Sequence, residues 1–344
     1  MLKFPKKSAN KINFILSIIF LLLVTTLTVI AVLKKPRVLV LHSYATDYSW
    51  VNDINKGILR RLDKYSYNMR WHYMDTKRHP SEHFKQRAGA SALAMIDEWD
   101  PHIIIAVDDN AQKWVTRHLI DHPKIKIVFT GVNGTLEDYG FQDAKNVTGV
   151  LERLPFEAFR TAFIDFLGDK GKKIVHISDN STTSTMVKKE LDKINWQPLD
   201  LVKSIKIDTF EEWKKEVNDV NDNADFLLIT HYHTLKYSAE DQRMVPPIDV
   251  VKWTEENTNI PIVGSWGFFV EDGGSMAIAV SPFEQGEEAA QMAINLLAGE
   301  EIHNIPIKTG KLFMLYIREE GMKRRNISVP LLFESFARAT DTYY

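Results

Sequence analysis

Short apolar runs alternate with amphipathic stretches along nearly the whole chain, and that alternation leaves few folds open. Arg37–Leu41 follows Pro36 directly, is rich in Val and Leu, and is too short for a helix. The next stretch places Val51, Ile54, Ile58 and Leu62 on one helical face, with Ser49 set to cap it. Trp71–Met74 reads as a second strand, after which Ser81 caps a helix carrying Phe84, Ala88, Ala92, Met95 and Trp99 three or four apart. His102–Val107 and Ile125–Thr130 read as further strands, with Asn110–Ile120 helical between them. Runs that are apolar throughout suit parallel strands covered on both faces. Strand followed by crossover helix, repeated, predicts a doubly wound α/β lobe.

The pattern then starts again. Strands are expected at Lys173–Ser178, Leu201–Ile207, Asp225–Thr230 and Ile260–Gly264, and helices at Phe156–Leu167, Thr182–Ile194, Phe210–Val220 and Ile248–Glu256. Asp208 with Glu211, and Ser281 with Glu284, each have the spacing of a capping box. Pro282 falls in the first turn of the last helix, where its missing N–H costs nothing, and Gly299 stops that helix. At 344 residues the chain is too long for one such lobe and suits two.

The charge is unevenly placed. Six of the 43 basic residues are lysines within residues 1–35, where there is no acid, so the remainder carries 37 bases against 45 acids. An acidic body leaves no basic surface to neutralise phosphates, which argues against nucleic acid as a partner. The absence of cysteine excludes disulfides, thiol catalysis, cysteine metal sites and a lipid-modified N-terminus, but it does not choose a compartment. The start of the chain does. Residues 12–33 are uncharged, about 33 Å of helix, enough to cross a bilayer. Lysines before it favour an inside N-terminus, making 1–11 a cytoplasmic tail, 12–33 an inner-membrane anchor and the rest periplasmic. Val29-Ile30-Ala31 also serves as a cleavage site, in which case the mature protein is free in the periplasm.

Most of these strands end in a polar, turn-forming cluster: His42-Ser43-Tyr44, Asp108-Asp109-Asn110, Thr130-Gly131-Val132-Asn133, Ser178-Asp179-Asn180-Ser181, Thr230-His231-Tyr232 and Gly264-Ser265-Trp266. In open parallel sheets ligands bind at the carboxyl ends of the strands. The opening Arg37-Val-Leu-Val-Leu-His-Ser-Tyr with Trp50 and Ile54-Asn-Lys-Gly-Ile, then Val128-Phe-Thr-Gly-Val-Asn and Asn146-Val-Thr-Gly-Val, carry a resemblance. So do Ile260-Pro-Ile-Val-Gly-Ser, Gly273-Gly-Ser-Met-Ala, Gln285-Gly-Glu-Glu-Ala-Ala, Ile305-Pro-Ile and Asn326-Ile-Ser-Val-Pro. Over about residues 36–335 the chain resembles the ABC transporter substrate-binding family of the tryptophan/tyrosine uptake type, a domain also found as the sensing region of bacterial sensor kinases.

The resemblance implies a type I periplasmic-binding fold with two lobes, 36–150 plus 282–306 and 151–281 plus 307–344. Crossovers near Asn146–Glu152, Ala277–Phe283 and Ile305–Lys311 form the hinge. It also implies a small organic ligand in the cleft, an amino acid or another amine, and a membrane partner. That partner is a permease if the role is transport, or a separate kinase or cyclase if the role is sensing. A third reading keeps the fold for protein contact alone.

The strand-end clusters supply the candidate ligand contacts. Asp108 and Asp109 suit a ligand ammonium, or else cap a helix start. Tyr44, Tyr48, Trp50, Tyr232, Trp266 and Phe268 crowd the same loops and suit a planar ring or a cation, or else are core. Ser43, Asn133, Asp179, Asn180, Ser181 and His231 complete the set, and the 178–182 segment is where the family places ligand. His231 and His233 share a strand face, but two histidines without a third ligand do not make a metal site. No nucleophile elbow, phosphate-cradling loop or His-Glu-x-x-His occurs, so no cofactor and no enzymatic activity are expected.

Overall fold

A computed structural model describes residues 6–33, 35–167 and 172–344. Residues 1–5 of the basic tail and Lys34 lie outside the described residues. One helix, Lys6–Leu33, precedes the globular part. Its Lys11–Ile30 portion is long and apolar enough to span a membrane, and none of it is buried against the rest of the protein.

Among the described residues twelve strands follow: β1 Arg37–His42, β2 Asn68–Tyr73, β3 Ile103–Val107, β4 Lys126–Val132, β5 Val147–Leu151, β6 Lys173–Asp179, β7 Asp200–Ile207, β8 Phe226–Ile229, β9 Ile262–Gly264, β10 Met276–Val280, β11 Lys308–Thr309 and β12 Phe313–Ile317. They form two six-stranded sheets, ordered β11-β5-β4-β3-β1-β2 and β12-β10-β9-β8-β6-β7. All pairings are parallel except β10 with β12. The expected doubly wound α/β architecture is therefore present twice. β3 is buried along its whole length, as a strand covered on both faces must be.

Element limits differ from the sequence reading in ways that have local causes. Ser49 is the first residue of helix Ser49–Leu62 rather than its cap; Tyr48 stands at the cap position without a side-chain hydrogen bond. The expected Asp208/Glu211 capping box lies one residue later, where Thr209 and Glu212 satisfy each other's backbone N–H groups. Ser281 caps helix Pro282–Leu297 as expected, but Glu284 does not reach back. Its carboxylate accepts the backbone N–H groups of Lys311 and Leu312 instead, holding the segment that leaves β11. The helix expected over Asn110–Ile120 breaks into Asp108–Trp114 and a 3-10 turn, Thr116–Leu119.

The chain crosses between sheets three times, after β5, after β10 and after β11. Helix Pro282–Leu297, though it follows β10, lies on the first sheet. Two glycines permit this: a Cβ on Gly57 would come within 2.2 Å of the Phe283 carbonyl oxygen, and one on Gly286 within 2.2 Å of that of Ile54. The helices Ser49–Leu62 and Pro282–Leu297 can therefore touch backbone to backbone. The third crossing falls after Thr309, because Lys308 and Thr309 still pair with β5. The C-terminal segment is fixed to the second lobe by Arg325, which is buried and donates to the Glu255 carboxylate and to the carbonyls of Ile260 and Thr258.

Candidate functional site

The carboxyl ends of β1, β3, β4 and β5 in one lobe face those of β6, β8 and β9 in the other. Between them lies a cavity of about 10 Å³, lined by Tyr44, Tyr48, Trp50, Lys77, Asp108, Asn133, Glu152, Thr183, His231, Trp266 and Phe268. The lobes are in direct contact around it. Tyr44 Oη and Thr183 Oγ1 are 2.9 Å apart, Lys189 pairs with Asp138 at 2.9 Å, and the Tyr48 ring packs on those of His233 and Phe268.

In the first lobe, Asp108 follows β3 directly with φ +66, a left-handed conformation costing a non-glycine residue about 1–3 kcal/mol. Neither it nor Asp109 caps the helix; Val107 holds that position. Asp108 Oδ1 accepts the Trp50 Nε1–H at 2.9 Å, while its Oδ2 is buried without a hydrogen-bond partner. Burial, followed by the charges of Glu152 and Asp109, pushes its pKa well up. Asp109 is used differently. Its Oδ1 accepts the backbone N–H groups of Asn133 and Gly134 and the Tyr139 hydroxyl, at 3.0, 2.9 and 2.6 Å, so it shapes the loop after β4 and does not line the cavity.

Glu152, one residue past β5, links the lobes: Oε2 accepts from Asn133 Nδ2 at 2.9 Å and Oε1 from Trp266 Nε1 at 2.7 Å. Burial raises its carboxyl to about 8, against the opposing pull of those two donors.

In the second lobe, Asp179 ends β6 and is fully engaged by its own lobe. It accepts from Ser181 N–H, Ser184 Oγ–H and Thr234 N–H at 3.1, 2.6 and 3.0 Å. Burial alone would raise its pKa, but the nearby Lys77 and His231 and the two serines hold it below the usual carboxylate range. His231 tilts on Trp266 with ring centroids 4.1 Å apart, and Trp266 stacks on Phe268. Burial holds His231 and His233 neutral at ordinary pH, the latter down to about 3, and Lys77 adds to the effect.

The remaining candidates fall outside the cavity. Ser43 Oγ donates to the Val107 carbonyl and accepts the Ala111 N–H, tying the β1 loop to the end of β3. Tyr232 stands behind the ring wall with its hydroxyl on Asp272. Asn180 and Ser181 face a separate groove of about 680 Å³ at the edge of the cleft, alongside Arg78, Lys85 and Lys236. Lys77, Glu152 and Thr183 line the cavity without having been singled out in the sequence. The signal for Glu152 was present, since it directly follows an apolar strand as the other clusters do.

Comparisons with known proteins accord with this geometry. The family model described as ABC transporter substrate binding protein matches residues 51–333. A conserved domain protein from Vibrio cholerae superposes with a TM-score of 0.67 at 14% identity, covering 88% of this chain and 98% of that one. An ABC domain in complex with L-Trp from Streptococcus pneumonia superposes at 0.68 with 15% identity and the same coverage. A chain of the TorS sensor domain–TorT complex gives 0.51 at 14% identity, covering 86% and 98%. No match is found among curated proteins. Both lobes thus have the type I periplasmic-binding architecture.

Proposed function

The chain belongs to the ABC transporter substrate-binding protein family, and from that premise we propose that it is an extracytoplasmic receptor for a small amine-bearing ligand. The ligand, an amino acid or a related metabolite, is held between the lobes, and the closed form is read by an ABC permease. The observation that carries this reading is the narrow cavity between the lobes, walled by aromatic rings from both and bordered by Asp108, whose buried Oδ2 lacks a donor. An ammonium group supplies that donor, and the rings of Tyr44, Tyr48 and Trp266 favour a cation at their faces.

A cavity of about 10 Å³ holds no organic molecule. Ligand therefore binds an opened form, in which the lobes separate about the three crossings and then close on it. A thermal-shift screen of the detergent-solubilised chain against amino acids, polyamines, nucleobases and small carboxylates tests this directly. An amine present at 100 times its Kd stabilises the fold by about 2.7 kcal/mol, a shift of several degrees. Asp108→Asn should then weaken that amine at least tenfold, about 1.4 kcal/mol. Unchanged affinity rules out Asp108 as the anchor.

A second reading, sensing, draws on one observation. Helix Lys6–Leu33 ends only a few residues before β1 begins at Arg37, so an uncleaved helix holds the receptor close to the bilayer. That arrangement suits docking on a neighbouring membrane kinase or cyclase, and a sensor-domain complex is among the structural neighbours. The intact mass of the mature chain decides between anchor and cleaved signal. Photo-crosslinking from the cleft rim in membranes decides between permease and sensor.

A further inference from the structure

Lys77 belongs to the first lobe, in the loop between β2 and helix Glu82–Trp99, yet its ammonium lies inside the cleft. The residue is 7% exposed. Nζ stands 4.8 Å from the ring centroid of Tyr44 and 5.6 Å from that of Tyr48. Among the described residues no hydrogen bond or ion pair accompanies these ring contacts. Four carboxylates act on it: Asp179 from the second lobe, and Asp108, Glu152 and Asp109 from the first lobe and hinge. With the residue 7% exposed and no hydrogen bond on Nζ, the ammonium keeps only a small opening to water, and ring faces offset part of the hydration it loses.

The position of Lys77 is also a boundary. With Tyr44 and Tyr48 it lines the inner cavity on one side. On the other side the same three residues line an outer groove of about 400 Å³, bordered by Asp47 and Asp75, both paired with Arg78, and by the segment Met244–Pro247. A long, flexible stem therefore ends at a partition, with acids on both sides of it.

We propose that Lys77 is a tethered stand-in for the cationic group of the ligand, occupying the Tyr44–Tyr48 cage until an organic cation displaces it into the outer groove. The proposal rests on the cleft being the ligand site and deepens it, making Lys77 a residue that sets which ligands succeed. In the absence of ligand its ammonium stands against the Tyr44 and Tyr48 rings, with Asp179 of the second lobe the strongest attracting charge on it, and holds the lobes together. An incoming cation replaces that charge, and Lys77 moves into the outer groove, where it shares Asp47 and Asp75 with Arg78. A neutral or anionic molecule of the same shape evicts Lys77 without replacing its charge, and leaves the ring faces and the Asp179 carboxylate without a cation. The arrangement thus selects for cations.

Chemical rescue tests this without the natural ligand. Lys77→Ala removes three carbons and the ammonium, the outline of n-propylammonium. The lobe-to-lobe distance is read in the full-length chain by spin labels on one introduced cysteine per lobe, the chain having none of its own. Wild type should be closed without ligand, and Lys77→Ala should be open. n-Propylammonium should re-close the variant and bind it at least tenfold more tightly than wild type, whereas 1-propanol should do neither. Lys77→Met, which keeps the stem and loses the charge, should also be open, and it serves in place of Lys77→Ala should that variant not fold. The proposal is overturned if either variant stays as closed as wild type, if 1-propanol closes Lys77→Ala as well as the amine does, or if n-propylammonium binds both proteins equally. A ligand screen without hits would count against the receptor reading and leave the Lys77 result intact, so the two failures are distinguishable.

Discussion

The two lobes repeat one strand order, so each position on one side of the cleft has a counterpart on the other, yet the counterparts carry different chemistry. β3 and β8 correspond; the first delivers Asp108 and the second His231. β4 and β9 correspond, and they deliver Asn133 and Trp266. β1 and β6 deliver Tyr44 and Asp179. The first lobe presents a carboxylate with an unfilled valence, while Asp179, the acid of the second lobe, is already filled by three donors of its own side. The open carboxylate thus belongs to one lobe, while both lobes contribute ring surface. A common backbone positions strand ends but does not dictate what they hold.

Asp109 gives the strongest way to break the comparison. Three donors within the first lobe converge on its Oδ1, and Asp109→Ala leaves all three buried and unpaired. Each costs about 1–3 kcal/mol, so a loss of about 3 kcal/mol or more is expected in denaturant unfolding. Because the damage is confined to the loop after β4, hydrogen exchange should quicken in the first lobe and remain unchanged around β6–β9. Equal loosening of both lobes would show that they do not divide their supports in this way.

A pH titration sharpens the comparison at the hinge. The Glu152 carboxyl, ordinarily near 4.3, is raised to about 8 in the folded protein. The folded state then binds a proton that the unfolded chain has released, so stability falls as pH rises from the unfolded value to about 8 and levels off above it. Thermal melts of the ligand-free protein should therefore drop between about pH 6 and pH 8 by several degrees. Glu152→Gln removes one of the raised acids and should reduce that slope, leaving the share that the raised Asp108 contributes. Binding of an amine runs the other way, strengthening with pH as Asp108 and Glu152 lose their protons, because a cation favours the ionised carboxylates.

Much of this was legible in the sequence because it depends on periodicity. Short runs rich in apolar residues marked eight of the strands, and the clusters that end them marked the cleft, Asp108, His231 and Trp266 among them. What was not legible depends on side-chain direction. Asp108 and Asp109 are adjacent and identical, but the left-handed backbone at Asp108 turns one toward the cavity and leaves the other to bind the loop after β4. Lys77 lies in a loop whose composition resembles a solvated turn, and only the closing of the second lobe over it makes it a buried group. Glu284 had the spacing of a cap, but a crossing segment distant in sequence offered it better donors.

Trp266 gives the smallest and most specific effect. Its ring lies parallel to Phe268 at 5.9 Å, a contact that phenylalanine largely preserves. Its Nε1–H donates to Glu152 at 2.7 Å, which phenylalanine cannot replace. Trp266→Phe should therefore cost about 1 kcal/mol, the net worth of one buried hydrogen bond, with little change in packing. The lost donor is one that stabilises the ionised form of Glu152, so the midpoint of the pH-dependent melting should move above about 8. In Glu152→Gln the same substitution should leave the remaining pH profile unchanged, since the acid that Trp266 donates to no longer titrates. If Trp266→Phe instead shifts the melt equally at every pH, Trp266 acts as packing alone, and the second lobe contributes rings to the cleft without tuning the acid at the hinge.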